Sequence, residues 1–342
     1  MTRGPVGCRE RAPLGGVTPL LLLLLLSGLF YGCLAGPPRP RPGTFTSTDA
    51  APTYHVLRGY RRRWREQVED GVELARAFWG SYGPVHVWIA GREGDRPTPP
   101  AAAAEFVSEY CEWRAGGEAR GAEELHDHAS ARFLDVVARG DAEAYLSWVD
   151  EIDPPTAELV FLNVHQWHFD ADPIPDPVLR GVHEYTHVFQ MAFAEMPTWM
   201  MEGGAVFAEA WIPWAAGRCD AAFVSARMRT SMARAQRARS DGRSIADMEA
   251  IDDAPPEIRG YYRELAYDAG AWATVLLIHR SPTRSVAALR DAFYPMVSAL
   301  GWERALCRYT GAASKEAFYA SFDQFLARPE AERERVLREL RR

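Results

Sequence analysis

Apolar residues with a helical period surround a polar segment in the middle of the chain. They recur every three to four residues, at Val178, Leu179, Val182, Val188, Phe189 and Phe193. This period predicts a buried helix over about 177–194. Asp176 and Pro177 fit a helix N-cap followed by proline at the first helical position. Pro197 then separates this helix from a second one that is predicted to begin near Thr198.

The rest of the chain divides into a mixed first half and a helical second half. Apolar and aromatic runs at 85–90 and 159–164 predict strands, and helical patterns cover 55–80, 101–114 and 122–149, the last with a break at Gly140. After residue 194 every pattern is helical, at 198–214, 218–238, 256–280, 284–298, 301–310 and 314–326. This order predicts an α+β fold with segregated layers.

The first 35 residues have the pattern of a secretory signal peptide, with arginines before an apolar run built on Leu20–Leu26. The run is shorter than the roughly 20 residues that a spanning helix needs. Three interpretations stay open: cleavage after Ala35, lipidation of Cys33 as the first residue of a bacterial lipoprotein, or an uncleaved anchor helix. Each of them predicts an exported protein, either secreted or held in the cell envelope.

The Pro-rich composition of residues 36–53 predicts a disordered linker. Behind a lipidated Cys33 this linker would tether a folded domain, predicted over 54–330, to a membrane. Residues 331–342 are predicted as a charged C-terminal tail. The net charge of −7 offers no basic field for nucleic acid, which we therefore exclude as a partner.

Three cysteines remain beyond the signal segment: Cys111, Cys219 and Cys307. An exported protein could pair two of them, for example Cys219 with Cys307, and buried free thiols are the alternative. The chain has no C-x-x-C motif, so a structural zinc site made of cysteines is excluded.

The polar segment of the central helix is His183-Glu184-Tyr185-Thr186-His187, an H-E-x-x-H pattern. Positions i and i+4 lie on one face of a helix, so His183 and His187 can hold one metal ion. Glu184 lies beside the first histidine, where it can act on a metal-bound water.

The helix that follows supplies what two histidines lack. A catalytic zinc has three protein ligands and an open position for water, and Glu202 is the natural third ligand. Glu209 lies two turns further along the same face. It is predicted to accept the free ring N–H of a zinc-binding histidine.

The runs H-E-Y-T-H-V-F-Q at 183–190 and P-T-W-M-M-E-G-G-A-V-F-A-E at 197–209 resemble the gluzincin metallopeptidases. This is the peptidase MA-like clan, which includes thermolysin and the M1 aminopeptidases. The resemblance implies a zincin-like fold, with a small mixed sheet in an N-terminal lobe (about 54–194), the metal helix on the cleft floor and a helical C-terminal lobe (about 195–330). It also implies that an edge strand, for which 159–164 is the candidate, pairs with an extended substrate.

The mechanism that the resemblance implies uses one Zn²⁺ per chain, held by His183, His187 and Glu202. Glu184 takes the proton of the zinc-bound water as it attacks the scissile carbonyl. A tyrosine hydroxyl of the segment 260–272 is expected to stabilise the oxyanion. Tyr267 fits the family pattern best, and Tyr262 comes next.

The large aminopeptidases of this clan carry a G-x-M-E-N loop, and this sequence has none. The expected activity is therefore that of an endopeptidase acting on a peptide or protein substrate. Two alternatives stay open: a catalytically silent zinc-binding scaffold of the same fold, and a zinc hydrolase of a non-peptide amide of the cell wall. The sequence does not predict the oligomeric state.

Overall fold

A computed structural model describes residues 45–92, 94, 98–116, 125–150, 152–167 and 173–341, all within one compact unit, Pro40–Arg342. The predicted signal peptide (1–35), its Cys33 and residues 36–44 of the predicted linker lie outside the described residues. Among the residues that are described, no helix is both long and apolar enough to cross a bilayer.

The described part of the chain is mostly helical, with two small sheets, which confirms the predicted α+β class. The strands are β1 Thr46–Ser47, β2 Thr53–Val56, β3 Tyr82–Gly83, β4 Val85–Ala90, β5 Glu143–Val149 and β6 Thr156–Leu162. The first helices are α1 Arg62–Trp79, α2 Pro100–Arg114, α3 Val136–Arg139 (after a π-helical segment, Ser130–Asp135), α4 Asp176–Met191 and α5 Thr198–Ala215.

The remaining helices follow α5 without further strands. They are α6 Ala221–Ser240, α7 Pro256–Arg259, α8 Gly270–Arg280, α9 Tyr294–Leu300, α10 Trp302–Thr310, α11 Lys315–Leu326 and α12 Glu330–Arg338. A π-helical segment, Arg263–Ala269, leads into α8, and another, Leu289–Phe293, leads into α9. The separation of strands and helices along the chain is therefore as predicted.

The main sheet is mixed and has the strand order β2-β4-β6-β5. Strands β2, β4 and β6 run parallel, and β5 is antiparallel to β6. Alternate residues of β4 and β6 face two separate apolar clusters, one of which contains α1 and α4 side chains and the other α2 side chains. Because helices cover both faces, β6 is buried along its whole length.

This strand order corrects the expectation for the substrate-pairing edge. The strand predicted at 159–164 lies in β6, which bonds to β4 on one side and to β5 on the other. Its backbone donors and acceptors are used inside the sheet. The edges of this sheet, as far as it is described, are β2 and β5.

Strand β5 also corrects the helix predicted over 122–149. That helix ends at Arg139, and Gly140 follows with a left-handed backbone (φ 80°). The next residues then alternate as a strand, with Tyr145 and Trp148 among the aromatic residues that favour this conformation. Pairing with β6 outweighs the local helical pattern.

Both ends of the predicted domain extend further than expected. Phe45 is buried, and β1 pairs with β3, so residues before the predicted boundary at 54 already belong to the fold. Residues 331–341 do not form the free charged tail that was predicted for 331–342, because α12 buries Val336 and Leu337 against the core.

The three cysteines are free thiols. Cys111 is buried in the apolar cluster between α2 and the sheet, whereas Cys219 precedes α6 and Cys307 lies on α10. The pairing of Cys219 with Cys307 is therefore wrong, and the alternative of free thiols holds.

Two pairs of glycines let helices approach closely around α4 and α5. A Cβ on Gly71 of α1 would overlap the backbone of Val178 and Gly181, and one on Gly203 of α5 would overlap the backbone of Gly270. Helix α4 is therefore held against α1, and α5 against the start of α8, at distances that only glycine permits.

We predict that Gly203→Ala lowers the free energy of unfolding by roughly 1–3 kcal/mol, because the new methyl group meets backbone that cannot move away. Gly260→Ala is the matched control, since an added Cβ there meets only ordinary contacts at 3.7 Å and beyond. Urea unfolding of both variants measures the difference. Equal stability of the two variants would contradict the close approach of α5 and α8.

A histidine pair lies on the sheet face that is covered by α2. Nε2 of His55 is 2.9 Å from Nδ1 of His86, and Nδ1 of His55 is 2.6 Å from Glu109. Burial and the neighbouring His55 lower the pKa of His86 to about 4, although Glu158 and Glu109 oppose this effect. His86 therefore stays neutral in the folded state at pH values where the unfolded chain takes up a proton.

We predict that the neutral His86 makes stability fall with acid. The folded pKa, about 4, lies below the ordinary value of 6.5, so protons bind preferentially to the unfolded chain between these pH values. His86→Gln removes this titration and should gain roughly 1–3 kcal/mol relative to the parent between pH 7 and pH 4. Denaturant unfolding at several pH values measures this gain, and a stability difference independent of pH would refute it.

Candidate metal centre

Helix α4 is buried on nearly every side, and its polar residues face two directions. Tyr185 and Thr186 face the N-terminal part of the fold: the Tyr185 hydroxyl accepts a hydrogen bond from the Tyr82 amide (2.8 Å), and Thr186 accepts one from the Trp79 indole (3.0 Å). His183 and His187 face α5 instead. The two unspecified positions of the H-E-x-x-H pattern thus fix the helix to α1 and β3.

The start of α4 differs slightly from the prediction. The helix begins at Asp176 with Pro175 as its N-cap, and no side chain caps it. The Asp176 carboxylate instead lies 3.6 Å from Arg180, one turn further along, and 3.7 Å from Arg227 of α6.

The three predicted ligands meet at one point. Oε2 of Glu202 lies 3.3 Å from Nε2 of His183 and 3.4 Å from Nε2 of His187. One ligand atom from each residue lies within 4.8 Å of the other two. His183 and His187 are buried, and Glu202 is 16% exposed. This group can bind a metal ion.

Glu209 is placed as predicted, beside the far nitrogen of the first histidine. Its Oε1 lies 2.7 Å from Nδ1 of His183. A carboxylate oxygen only accepts, so Nδ1 carries the proton and donates it. Nε2 of the neutral imidazole then presents its lone pair towards Glu202.

Gln190, which the sequence analysis did not identify, accepts the Nδ1–H of His187 as Glu209 accepts that of His183. Its Oε1 accepts a hydrogen bond from Nδ1 of His187 (2.8 Å), while its Nε2 donates to the carbonyl of Met201 (3.0 Å). The contact with the Met201 carbonyl fixes which end of the amide faces the ring. Gln190 is fully buried and connects α4 to α5.

Each ring therefore has an acceptor at both nitrogens, and this is a property of a cation site. A neutral imidazole has only one N–H, so the lone pairs of two Nε2 atoms converge with the Glu202 carboxylate. Without a metal ion only a proton can relieve this repulsion. Burial disfavours the charged ring of His183, but hydrogen bonds to Glu202 and Glu209 outweigh burial and raise its pKa to about 10. A metal ion would replace that proton.

Two arginines that the sequence analysis missed neutralise Glu209. Arg227 donates to its Oε2 at 2.8 Å, and Arg180 lies 3.6 Å from its Oε1. Burial alone would raise the pKa of Glu209, but Arg180, His183 and Arg227 lower it to about 2. Glu209 therefore stays ionised and keeps His183 in the donating tautomer.

Glu184 differs from the other two carboxylates of the site. It is buried, yet among the described residues no side chain or backbone group forms a hydrogen bond with it. Burial raises its pKa, although His183 and His187 act in the opposite direction. A buried carboxylate with a raised pKa and free lone pairs is able both to accept and to return a proton.

Two tyrosines of the π-helical segment and its N-terminal flank complete the site. The Tyr262 hydroxyl donates to Oε1 of Glu202 (2.8 Å), and the Tyr267 ring stacks on the His183 ring with centroids 5.7 Å apart. Burial and the Glu202 charge raise the pKa of both hydroxyls well above the usual value. Both residues therefore remain hydrogen-bond donors at neutral pH.

Comparisons with protein-family models, with curated proteins and with solved structures find no match to this chain.

We predict that Gln190→Met weakens binding of a divalent metal about 10- to 100-fold, because His187 loses the acceptor that fixes its tautomer. Methionine has a similar volume, so packing changes little. Competition of the folded protein with a chromophoric chelator for Co²⁺ measures the affinity. Gln236→Met on α6, which loses only a bond to the Leu326 carbonyl, is the control. Unchanged Co²⁺ affinity in the Gln190 variant would show that the tautomer is fixed by other means.

Proposed function

We propose that this chain is an exported zinc-dependent peptidase of zincin-like architecture, which hydrolyses peptide bonds within its substrates. The single observation that carries the proposal is the convergence of Glu202 Oε2 with the two imidazole Nε2 atoms. The small mixed sheet, the buried α4 and the helical C-terminal half support the architecture. Export and a peptide substrate rest on the N-terminal pattern and on the motifs at 183–209.

The donor set fits zinc in both chemistry and size. His₂Glu is an established set for catalytic zinc, with ligand bonds of about 2.0–2.2 Å. The corners of a tetrahedron with such bonds are about 3.4 Å apart, which agrees with the 3.3 and 3.4 Å between Glu202 and the imidazoles. Oε1 of Glu202 is held by Tyr262, so this carboxylate is arranged to offer Oε2 alone.

A bound Zn²⁺ would polarise the scissile carbonyl and lower the pKa of a coordinated water towards 7. The protein then supplies the proton transfers. Glu184, one residue from the first ligand, takes the proton of the attacking water and passes it to the leaving amine. Burial raises the pKa of Glu184, which favours the protonated form that this transfer requires.

Two roles remain, orientation of Glu202 and stabilisation of the oxyanion, and we assign one to each tyrosine. Tyr262 is engaged with Glu202 and orients this ligand. Tyr267 stacks on the face of His183, and we assign its hydroxyl to donate to the developing oxyanion. This assignment keeps Tyr267 as the proposed catalytic tyrosine and gives Tyr262 a positioning role.

We predict that Glu184→Gln lowers kcat/KM for peptide hydrolysis about 10²- to 10⁴-fold, because the amide cannot act as a base. Its bound zinc should remain near one ion per chain, since Glu184 is not a ligand. Glu202→Gln is the comparison variant and should lose most of the metal. Mass spectrometry of an unstructured peptide library, with and without chelator, and elemental analysis give the two measurements.

The two measurements separate the proposal from its alternatives. Cleavage that persists in Glu184→Gln would exclude Glu184 as the base. A parent protein that holds zinc but leaves all peptides intact would favour the silent scaffold or the hydrolase of a non-peptide amide.

A further inference from the structure

A cavity lies at the C-terminal end of α8, the end that is remote from the candidate metal centre. Its volume is about 380 Å³, and its walls come from the C-terminal end of α8, the turn 281–284, α11 and α12. Helix α8 begins at Gly270, which contacts Gly203 beside the ligand Glu202. An eleven-residue helix is about 16 Å long, so the cavity is separate from the metal centre.

Two guanidinium groups line this cavity without a carboxylate partner. Among the described residues, Arg280 forms a side-chain hydrogen bond only with the Ser321 hydroxyl, and the side chain of Arg328 forms none. Arg284 on the same wall differs, because Glu339 accepts its hydrogen bond (2.7 Å) and also one from His279 (2.9 Å). Both residues are exposed to solvent, and no carboxylate among the described residues pairs with either guanidinium group.

The two charges also repel each other. Burial and the nearby Arg328 lower the pKa of Arg280, whereas the hydrogen bond to Asp268 raises the pKa of Arg234. Arg284, in the turn that forms the cavity rim, has a left-handed backbone (φ 53°), which is uncommon for a residue with a side chain. Strained backbone of this kind is often found at ligand-binding loops.

An oxyanion would relieve the repulsion. Guanidinium groups present forked N–H donors that match phosphate geometry, and such charge-assisted hydrogen bonds are the strong ones. We propose that this cavity is a binding site for a phosphate group, held between Arg280 and Arg328 with the Ser321 hydroxyl beside them. Inorganic phosphate and the phosphate of a larger molecule share this chemistry. The site is independent of the proposed peptidase activity.

Inorganic phosphate is the probe for the first test, on the full-length chain, with chloride at equal ionic strength as the reference. Isothermal calorimetry should show phosphate binding to the parent, and Arg280→Gln and Arg328→Gln should each weaken it at least about tenfold. Arg304→Gln on α10 is the matched control, because Arg304 is exposed as Arg280 and Arg328 are, but lies outside the cavity. Phosphate binding no stronger than chloride binding would overturn the proposal, as would Arg328→Gln binding phosphate as tightly as Arg304→Gln does.

The melting temperature gives a second test, because Arg328→Gln should compare differently with the parent in chloride and in phosphate. In chloride, Arg328→Gln should melt at the same temperature as the parent or above it, because one of two repelling charges is gone. In phosphate, only the parent and Arg304→Gln should gain in melting temperature. A lower melting temperature of Arg328→Gln in chloride would show that this arginine has a structural partner, and would overturn the proposal.

Vesicles identify the source of the phosphate. The vesicles are phosphatidylcholine with and without phosphatidic acid. If the vesicles that contain phosphatidic acid retain the parent but not Arg328→Gln, while free phosphate binds weakly but more strongly than chloride, then a lipid headgroup is the ligand. If free phosphate binds and both kinds of vesicle fail to retain the protein, then the ligand is soluble. Either pattern supports the site, and retention that is the same for both proteins, without binding of free phosphate, refutes it.

Discussion

The imidazole of His183 is shared by two carboxylates of a single helix. Glu209 binds its Nδ1 and Glu202 faces its Nε2, and these two residues are seven positions, or two turns, apart on α5. A ring of α4 can meet both only if the two helices lie side by side at close range. The Gly203–Gly270 contact brings the start of α8 against α5, and the Gly71–Gly181 contact holds α4 against α1. Tyr267, three residues before Gly270, lies beside His183 in this arrangement.

The buried charges of the site are compensated unequally. Glu209 has two arginines and the Nδ1–H of His183, and Glu202 has the Tyr262 hydroxyl, whereas Glu184 has no hydrogen-bond partner among the described residues. Burying an ionised carboxylate without a partner costs several kcal/mol. Burial raises the pKa of Glu184, whereas the charges and hydrogen bonds around Glu209 lower the pKa of that carboxylate. Glu184 and Glu209 therefore differ in how readily they take up a proton.

The hydrophobic pattern of each segment predicted most helices and strands, because the period of its apolar residues depends on that segment alone. Strand β4 and helix α5 agree with their predictions to within a residue. The errors occur where partners distant in sequence decide the outcome: β5 forms because β6 is available to pair with it, and the strand order places β6 inside the sheet. The same distinction holds in the site. Gln190 lies one turn after His187 and could have been found from that spacing, whereas Arg227 comes from α6 and no local signal points to it.

The residues between the two histidines explain why the candidate metal ligands and the N-terminal part of the fold depend on each other. Each residue of a helix is rotated by about 100° from the last, so Tyr185 and Thr186 point away from the face of His183 and His187. Tyr185 binds the backbone of β3, and Thr186 binds Trp79 at the end of α1. A rotation of α4 that moved the imidazoles out of reach of Glu202 would break both of these hydrogen bonds. The sheet and α1 therefore fix the rotation of the helix, while α5 supplies the groups that the rotation brings together.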